Sequence, residues 1–264
     1  MIMNNKIIVN ILGCGTSAGV PSIISGWGSV DKNNPKNHRL RCVITMKTHD
    51  SHILVDCGPD LKQQLFEYSQ NNNLDFDAIF LTHQHADHIH GIDELRWVCT
   101  RNNRDLKVYA SKSIFDSIIK RFEYAFTPLP KGVDFYFKPV LQPIEIKDKI
   151  KINSSEFIVI EQHHGKIKSY GYRYKDFAYC TDVVDFDDTE FEKLKGVKTL
   201  IIDCLRIQEH KTHAHLEKVK YWVSKLNPDM AYLTHMDNTM DYEDLLNQLP
   251  DNIRPAYDLS LIHI

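Results

Sequence analysis

Leu81-Thr82-His83-Gln84-His85-Ala86-Asp87-His88 packs three histidines and an aspartate into six residues, directly behind the apolar run Ala78-Ile79-Phe80. The apolar run reads as a buried strand. A tight turn behind it throws His83 and His85 onto one side of the chain, while Asp87 and His88 address a neighbouring point. Imidazoles with a carboxylate suit zinc, manganese or iron, and two adjacent donor groups exceed what one ion takes. The reading is a two-metal site. A lone histidine is more often a satisfied core or surface residue, and this chain has 14 of them. An acid locked among three imidazoles has little such structural use.

Working outward, more metal-type side chains stand at the ends of further apolar runs. Phe157 to Gln162 ends in His163-His164-Gly165, Phe177 to Cys180 ends in Thr181-Asp182, and Met230 to Leu233 ends in Thr234-His235. Collecting the strand ends gives His83, His85, Asp87, His88, His164, Asp182 and His235. These suffice for two divalent ions of five-fold or lower coordination, with Asp182 the natural bridge because one carboxylate has two oxygens.

The remaining elements supply a mixed scaffold. Strands are expected at Lys6–Leu12, Leu40–Thr48, His52–Asp56, Lys107–Ala110, Ile150–Ile152, Ser169–Tyr174 and Thr199–Ile202. Helices are expected after Pro59, with Leu61, Leu65 and Phe66 as the apolar marks, over Ser113–Phe126 with Ile114, Ile118 and Phe122 on one face, and from Leu216 to Leu226. Between the first two strands lie the glycine-rich run Gly13-Cys14-Gly15-Thr16-Ser17-Ala18-Gly19-Val20-Pro21, whose Thr16 and Ser17 hydroxyls could line a ligand, and a long polar loop from Ser22 to His38. Arg39 and Arg41, one residue apart, read as a same-side pair suited to phosphate oxygens or to surface ion pairs. Asp93 and Glu94 stand either behind ligand histidines or on a solvated helix face. Thr127–Pro143, with Pro128, Pro130, Pro139, Pro143 and Phe135-Tyr136-Phe137, reads as an aromatic insertion that packs in the core, walls the cleft or meets a second subunit.

Composition sets the class. The chain has 264 residues, 42% hydrophobic and 25% charged, with no proline-, glycine- or serine-rich divider. A single domain over residues 1–264 with a sizeable core is expected. Its formal net charge of −3 argues against the basic field that holds nucleic acid non-specifically. Cys14, Cys42, Cys57, Cys99, Cys180 and Cys204 form no C-x-x-C pair, and neither a leader peptide nor a long apolar span is legible. A reducing cytoplasmic setting away from membranes is expected.

Taken together, Thr82-His83-Gln84-His85-Ala86-Asp87-His88, His164-Gly165, Tyr179-Cys180-Thr181-Asp182 and Leu233-Thr234-His235 resemble the metallo-β-lactamase superfamily of metal-dependent hydrolases. The resemblance spans nearly the whole chain and implies an α+β (α/β) four-layer αββα sandwich with the site at one edge of two facing sheets. It implies that His83, His85 and His164 hold one ion, that Asp87, His88 and His235 hold the other, and that Asp182 bridges two Zn2+ or Mn2+. A hydroxide bridging the ions, generated from water acidified to a pKa of about 7, would then attack phosphorus.

Within the superfamily, the opening Gly13–Pro21 loop, the Arg39-Leu40-Arg41 pair and Thr212-His213-Ala214-His215 resemble the phosphodiesterase branch. That branch holds the phosphoribosyl cyclic phosphodiesterase of phosphonate degradation and, more distantly, the tRNA 3'-processing endonucleases (tRNase Z). The resemblance implies a small, possibly cyclic, phosphodiester substrate, with nucleic acid not favoured, and a homodimer. It assigns His213 as general acid, with His215 as the fallback, and Asp87 as a further catalytic group. The phosphonate-pathway enzyme is expected to carry a structural zinc on cysteines after the Gly-Val-Pro loop and on a histidine three residues past the last ligand. Here residues 22–38 contain no cysteine and Asn238 takes the histidine's place, so no structural Cys-zinc site is expected. RNA 3' processing and a non-catalytic binding protein on the same fold are the alternatives.

Overall fold

The computed structural model describes residues 6–127, 131–132 and 141–264. One sheet is built from β1 (Ile8–Gly13), β2 (Val43–Lys47), β3 (His52–Val55), β4 (Ala78–Phe80), β5 (Leu106–Ala110) and β6 (Leu141–Glu145). The other is built from β7 (Lys149–Ile152), β8 (Ser155–His164), β9 (Ile167–Tyr174), β10 (Phe177–Cys180), β11 (Thr199–Asp203), β12 (Met230–Thr234) and β13 (Ile253–Pro255). A further strand, β14 (Ser260–His263), returns to the first sheet and pairs antiparallel with β1. The strand orders are β14-β1-β2-β3-β4-β5-β6 and β13-β12-β11-β10-β9-β8-β7.

Alternation along the strands explains the layering. In β3, Ile53 and Val55 face the second sheet while Leu54 faces outward; in β4, Ala78 and Phe80 face inward and Ile79 outward. A strand buried on both faces must be apolar at every position, which is why these segments read as continuous apolar runs rather than as alternating ones. Phe80 meets Phe157 of the other sheet edge-on at 5.2 Å between ring centroids, and lies 4.8 Å from Tyr172. Truncating a buried ring of this kind to alanine costs about 3–5 kcal/mol.

Helices cover the outer faces. α1 (Leu61–Ser69), α2 (Ala86–Ile89), α3 (Leu95–Asn102), α4 (Lys112–Arg121) and α5 (Glu123–Phe126) lie on the first-sheet side of the chain. The buried faces of α1, α3 and α4 (Leu61 and Leu65, Leu95 and Val98, Ile114 and Ile118) pack on Leu54, Ile79 and Val108. After the short α6 (Asp188–Glu192), α7 (Leu216–Leu226) sets Val219, Trp222 and Val223 into the cluster that holds Leu200 to Ile202, and α8 (Tyr242–Gln248) adds Leu245. The result is the four-layer αββα sandwich. No helix among the described residues is long and apolar enough to cross a membrane.

Several local expectations are corrected. The helix expected over Ser113–Phe126 breaks at Phe122, whose φ of −126° and ψ of 40° leave helical space, so α4 and α5 are separate. Phe66 is 64% exposed, because the buried face of α1 runs through Leu61, Leu65 and Tyr68 at helical spacing and Phe66 falls beside it. Asp93 pairs with Arg96 Nε at 2.9 Å and accepts from Tyr124 Oη at 2.8 Å, so it does not stand behind a metal-type histidine. Of the aromatic insertion, Pro128, Pro130, Pro139 and Phe135-Tyr136-Phe137 lie outside the described residues, and Pro143 sits in β6.

The chain's late segments tie down its early loop. Asp258 accepts from the backbone N–H of Cys14 at 3.0 Å and of Leu40 at 2.6 Å. Asn238 donates through Nδ2 to Ser25 Oγ at 2.7 Å and to Gly26 O at 3.1 Å.

Candidate metal centre

Strand register brings the site together. In the parallel strands β10, β11 and β12, Cys180 pairs with Ile202, and Ile202 with Leu233. Asp182, Asp203 and His235 therefore leave the sheet at nearly one height. In the first sheet Val55 and Phe80 pair, so Asp56 and the loop from Leu81 emerge side by side. Asp56, Asp182 and His235 all have positive φ, 65°, 54° and 59°. A non-glycine residue in that region bends the chain sharply and is disfavoured elsewhere, so strain is concentrated where three strand ends turn into the cleft.

The contiguous motif folds as two pieces. His83 leaves β4 by a non-helical step, and Ala86 to Ile89 then make the single turn of α2. Gly58 lets that turn sit against the end of β3, since a Cβ there would collide with the Asp87 carbonyl. Asp87 and His88 thus face inward from a helix, and His83 and His85 from the loop before it.

The seven side chains form two groups sharing one residue. Ring nitrogens of His83, His85 and His164 and an Asp182 oxygen all lie within 4.8 Å of one another; so do donor atoms of Asp87, His88, His235 and Asp182. His164 Nε2 is 3.1 Å from His85 Nδ1. Asp182 Oδ1 lies 3.6 Å from His83 Nε2, 3.7 Å from His164 Nε2 and 3.5 Å from His235 Nε2, while Oδ2 lies 3.1 Å from His88 Nε2. Asp87 Oδ2 is 3.3 Å from His88 Nε2 and 3.5 Å from His235 Nε2.

The orphaned atoms show what this arrangement fits. His83 Nε2, His88 Nε2 and His235 Nε2 are buried with no hydrogen-bond partner. Leaving buried polar atoms unmatched costs about 1–3 kcal/mol each, and three that point at one another across two carboxyl groups fit a cation. Charge agrees. Asp56, Asp87, Asp182 and Asp203 are all buried, and four buried carboxyl groups need positive charge beside them. Burial opposes a charge on His88, but Asp182, Asp87 and Asp56 outweigh it and raise its pKa well above the usual imidazole value. A proton there occupies the place that a divalent ion would take.

Outer partners fix the rings. Asp56 accepts from His88 Nδ1 at 2.7 Å and from the Thr82 N–H and hydroxyl, each at 2.8 Å. The Thr212 carbonyl accepts from His164 Nδ1 at 2.8 Å. Asp203 Oδ2 accepts from His213 Nδ1 at 2.9 Å and from the Val183 N–H at 3.0 Å. Such partners set the tautomer and leave Nε2 facing inward. Burial lowers the His213 pKa, yet Asp203 outweighs it and pushes the group up to about 9. Asp56 and Asp203 lie outside the metal-type set that the sequence motifs mark, yet each is an acid directly behind or ending an apolar strand, the same signal that marks Asp182.

The cleft, about 340 Å³, is lined by Ser17, His85, Asp87, His164, Lys166, Ile167, Asp182, Thr212, His213 and His235. Ser17 and His213 thus both line the cleft. Thr16 is not among the lining residues; it caps a turn by accepting from Gly19 N–H at 2.8 Å. The arginine pair diverges. Arg39 is 1% exposed and donates to the Asp237 and Met240 carbonyls and to Asn37, while Arg41 pairs with Asp60 at 3.1 Å. Neither lines the cleft, because one strand position is consumed by a buried tie and the other by a carboxylate. His215 is the residue before α7 and does not line the cleft either.

Comparison with known proteins agrees with this geometry. The model of the beta-lactamase superfamily domain matches residues 51–236, most of the chain. The chain belongs to that superfamily. A solved diphosphatase of the PhnP family is 28% identical and superposes with a TM-score of 0.86, over 98% of this chain and 97% of that one. Human short-form tRNase Z, 16% identical, shares the fold with a TM-score of 0.68 over 97% and 98% of the two chains. Among curated proteins, an octanoyltransferase of Porphyromonas gingivalis is 31% identical over 94% of this chain and 50% of its own length. Ribonuclease Z of Methanocaldococcus jannaschii is 29% identical over 64% and 48%. The chain spans about half the length of these curated relatives.

Proposed function

We propose that this chain is a single-domain, dinuclear metal phosphodiesterase that hydrolyses a small, cyclic or open, phosphodiester. The observation that carries the reading is the set of orphaned imidazole nitrogens, His83, His88 and His235 Nε2, converging on the two oxygens of Asp182. His83, His85 and His164 would hold one ion and Asp87, His88 and His235 the other, with Asp182 within reach of both groups; zinc or manganese suits this donor set. Bound there, two divalent ions supply Lewis acidity toward the phosphoryl oxygens and an acidified water as nucleophile.

The protein's own contribution is positioning and proton delivery. Asp56 and the Thr212 carbonyl hold His88 and His164 so that neither ring turns away. His213, with Nδ1 committed to Asp203, presents Nε2 to the cleft and donates its proton to the departing oxygen. Ser17, which lines the cleft, offers a hydroxyl to a substrate oxygen. A cleft of about 340 Å³ favours a small substrate. The reading extends to a homodimer, on the family resemblance, and to a cytoplasmic setting, on six free buried cysteines.

The ribonuclease Z likeness supports a second reading, cleavage at the 3' end of a precursor tRNA. The net charge of −3 stands against it. Assay of the purified chain with bis(p-nitrophenyl) phosphate and manganese or zinc tests the proposal, with a precursor tRNA carrying a 3' trailer as the competing substrate. Release of p-nitrophenol that vanishes on Asp182→Ala supports it. Activity that survives Asp182→Ala overturns the shared two-ion site, and metal content below one ion per chain with no turnover overturns the enzyme reading in favour of a non-catalytic binding protein.

A further inference from the structure

Asp182 is the residue that both donor groups share, and three buried polar side chains stand behind it. Gln162 in β8, Ser169 in β9 and Thr181 at the end of β10 are each 0% exposed, and Gln162 and Ser169 are cross-strand partners. Their hydrogen bonds run one way. Gln162 Nε2 donates to the Thr181 carbonyl at 2.9 Å and to Ser169 Oγ at 3.0 Å. Ser169 Oγ donates onward to the Asp182 carbonyl at 2.7 Å, and Thr181 Oγ1 donates to Asp182 Oδ2 at 2.7 Å. Backbone carbonyls only accept, so both the amide of Gln162 and the hydroxyl of Ser169 are fixed in direction.

Folding alone gives little reason for this set. A buried hydrogen-bonded pair can be exchanged for apolar groups of the same shape at small cost, and Ile160, Tyr172 and Cys180 on the same strands belong to the apolar core. The set even leaves Gln162 Oε1 without a partner, beside Gly171, where a Cβ would stand 2.7 Å from that oxygen. What it does fix is Asp182, whose φ of 54° is disfavoured for a residue with a side chain. Ser169 holds the carbonyl of that bent residue, and Thr181 holds its carboxyl group. With Oδ2 tied to Thr181 and 3.1 Å from His88 Nε2, Oδ1 is left 3.6, 3.7 and 3.5 Å from Nε2 of His83, His164 and His235.

We propose that Gln162, Ser169 and Thr181 form a buried clamp that sets the Asp182 carboxylate across both donor groups, with Thr181 the positioning residue that decides which oxygen faces which group. The inference rests on the two-ion reading of the site and names the residues that keep its shared ligand in place. Partners behind a metal ligand are worth about 10–100-fold in metal affinity.

The test titrates the full chain with manganese as wild type, Thr181→Val, Thr181→Ser and Ser169→Ala. Affinity is read by chelator competition, and the spacing of the ions by electron paramagnetic resonance. Wild type is expected to bind two ions and give an exchange-coupled signal. Thr181→Val keeps the shape of the side chain and removes its hydroxyl; it should bind manganese about 10–100-fold more weakly and lose the coupled signal. Thr181→Ser restores both, and Ser169→Ala weakens binding in the same direction. Thermal melting of the metal-free chain separates the clamp from packing, with Thr181→Val expected to melt close to wild type; if it melts early, Ser169→Ala decides by the same two readouts. Wild-type affinity and coupling in Thr181→Val, or a loss that Thr181→Ser does not restore, overturns the clamp. If wild type binds two coupled ions but cleaves no diester, the phosphodiesterase reading fails and the clamp stands. If wild type binds fewer than two ions, the carboxylate is not shared and the clamp falls with the two-ion reading.

Discussion

The two sheets build their shares of the site in opposite ways. The first sheet delivers His83, His85, Asp87 and His88 in one six-residue burst from the end of a single strand. The second delivers His164, Asp182 and His235 one at a time, from three strand ends separated by long stretches of chain. Each sheet also adds an acid behind an imidazole, Asp56 for His88 and Asp203 for His213, at 2.7 Å and 2.9 Å. The difference teaches that a contiguous motif can be positioned by one local turn, whereas dispersed ligands depend on strand register across the whole sheet.

Substitutions can separate these contributions. The largest effect is expected at the residue both groups share: Asp182→Ala should lower phosphodiester hydrolysis by about 10³-fold or more and reduce bound metal by elemental analysis. Full metal content with near-normal rate would show that the first-sheet burst suffices alone. Next comes proton delivery. His213→Ala should slow a diester with an alkoxide leaving group by about 10²–10³-fold, and slow one that releases p-nitrophenolate far less. Equal losses on both substrates would remove His213 from the acid role.

The paired acids give a sharper contrast. Asp56→Asn should weaken metal binding by about 10–100-fold in a chelator competition, while Asp203→Asn leaves metal affinity close to wild type and lowers kcat. If the two variants behave alike, the outer acids of both sheets serve the metals and the division proposed here is wrong.

The smallest effect on catalysis lies far from the cleft, in β3. Burial, helped by Lys47, holds His52 down at about 3, and its ring accepts from Tyr68 Oη while its other nitrogen meets the Asp75 carbonyl. The unfolded chain takes up a proton near 6.5, so between about 6.5 and 3 it binds more protons than the folded one, and stability falls as pH falls. The loss amounts to up to on the order of 4 kcal/mol across that window. Urea unfolding at pH 7 and pH 4 should show a shallower loss for His52→Gln than for wild type, with hydrolysis at pH 7 little changed.

Legibility in the sequence followed the same divide. The metal-type residues could be read because each stands directly behind an apolar strand, and strands buried on both faces announce themselves as unbroken apolar runs. The arginine pair could not, since nothing local tells that Arg39 turns back to the Asp237 and Met240 carbonyls, some 200 residues along the chain. Asp56 and Asp203 carry the same strand-end signal as Asp182, but an acid that orients a ring looks no different in sequence from one that caps a turn. Lys166 had no signal at all. Its place on the rim is a property of a hairpin turn, and only the fold puts that turn beside the cleft.

The return of β14 to β1, with Asp258 gripping Cys14 and Leu40, carries a kinetic consequence. During synthesis the glycine-rich opening loop emerges early, but its clasp is more than 200 residues behind it. Ser17 and the loop around it cannot settle until residues 258–263 have left the ribosome. Contacts of such long sequence separation form late and slowly. The nascent chain therefore passes through a stage in which the metal-type residues are all made while the rim beside them is still open.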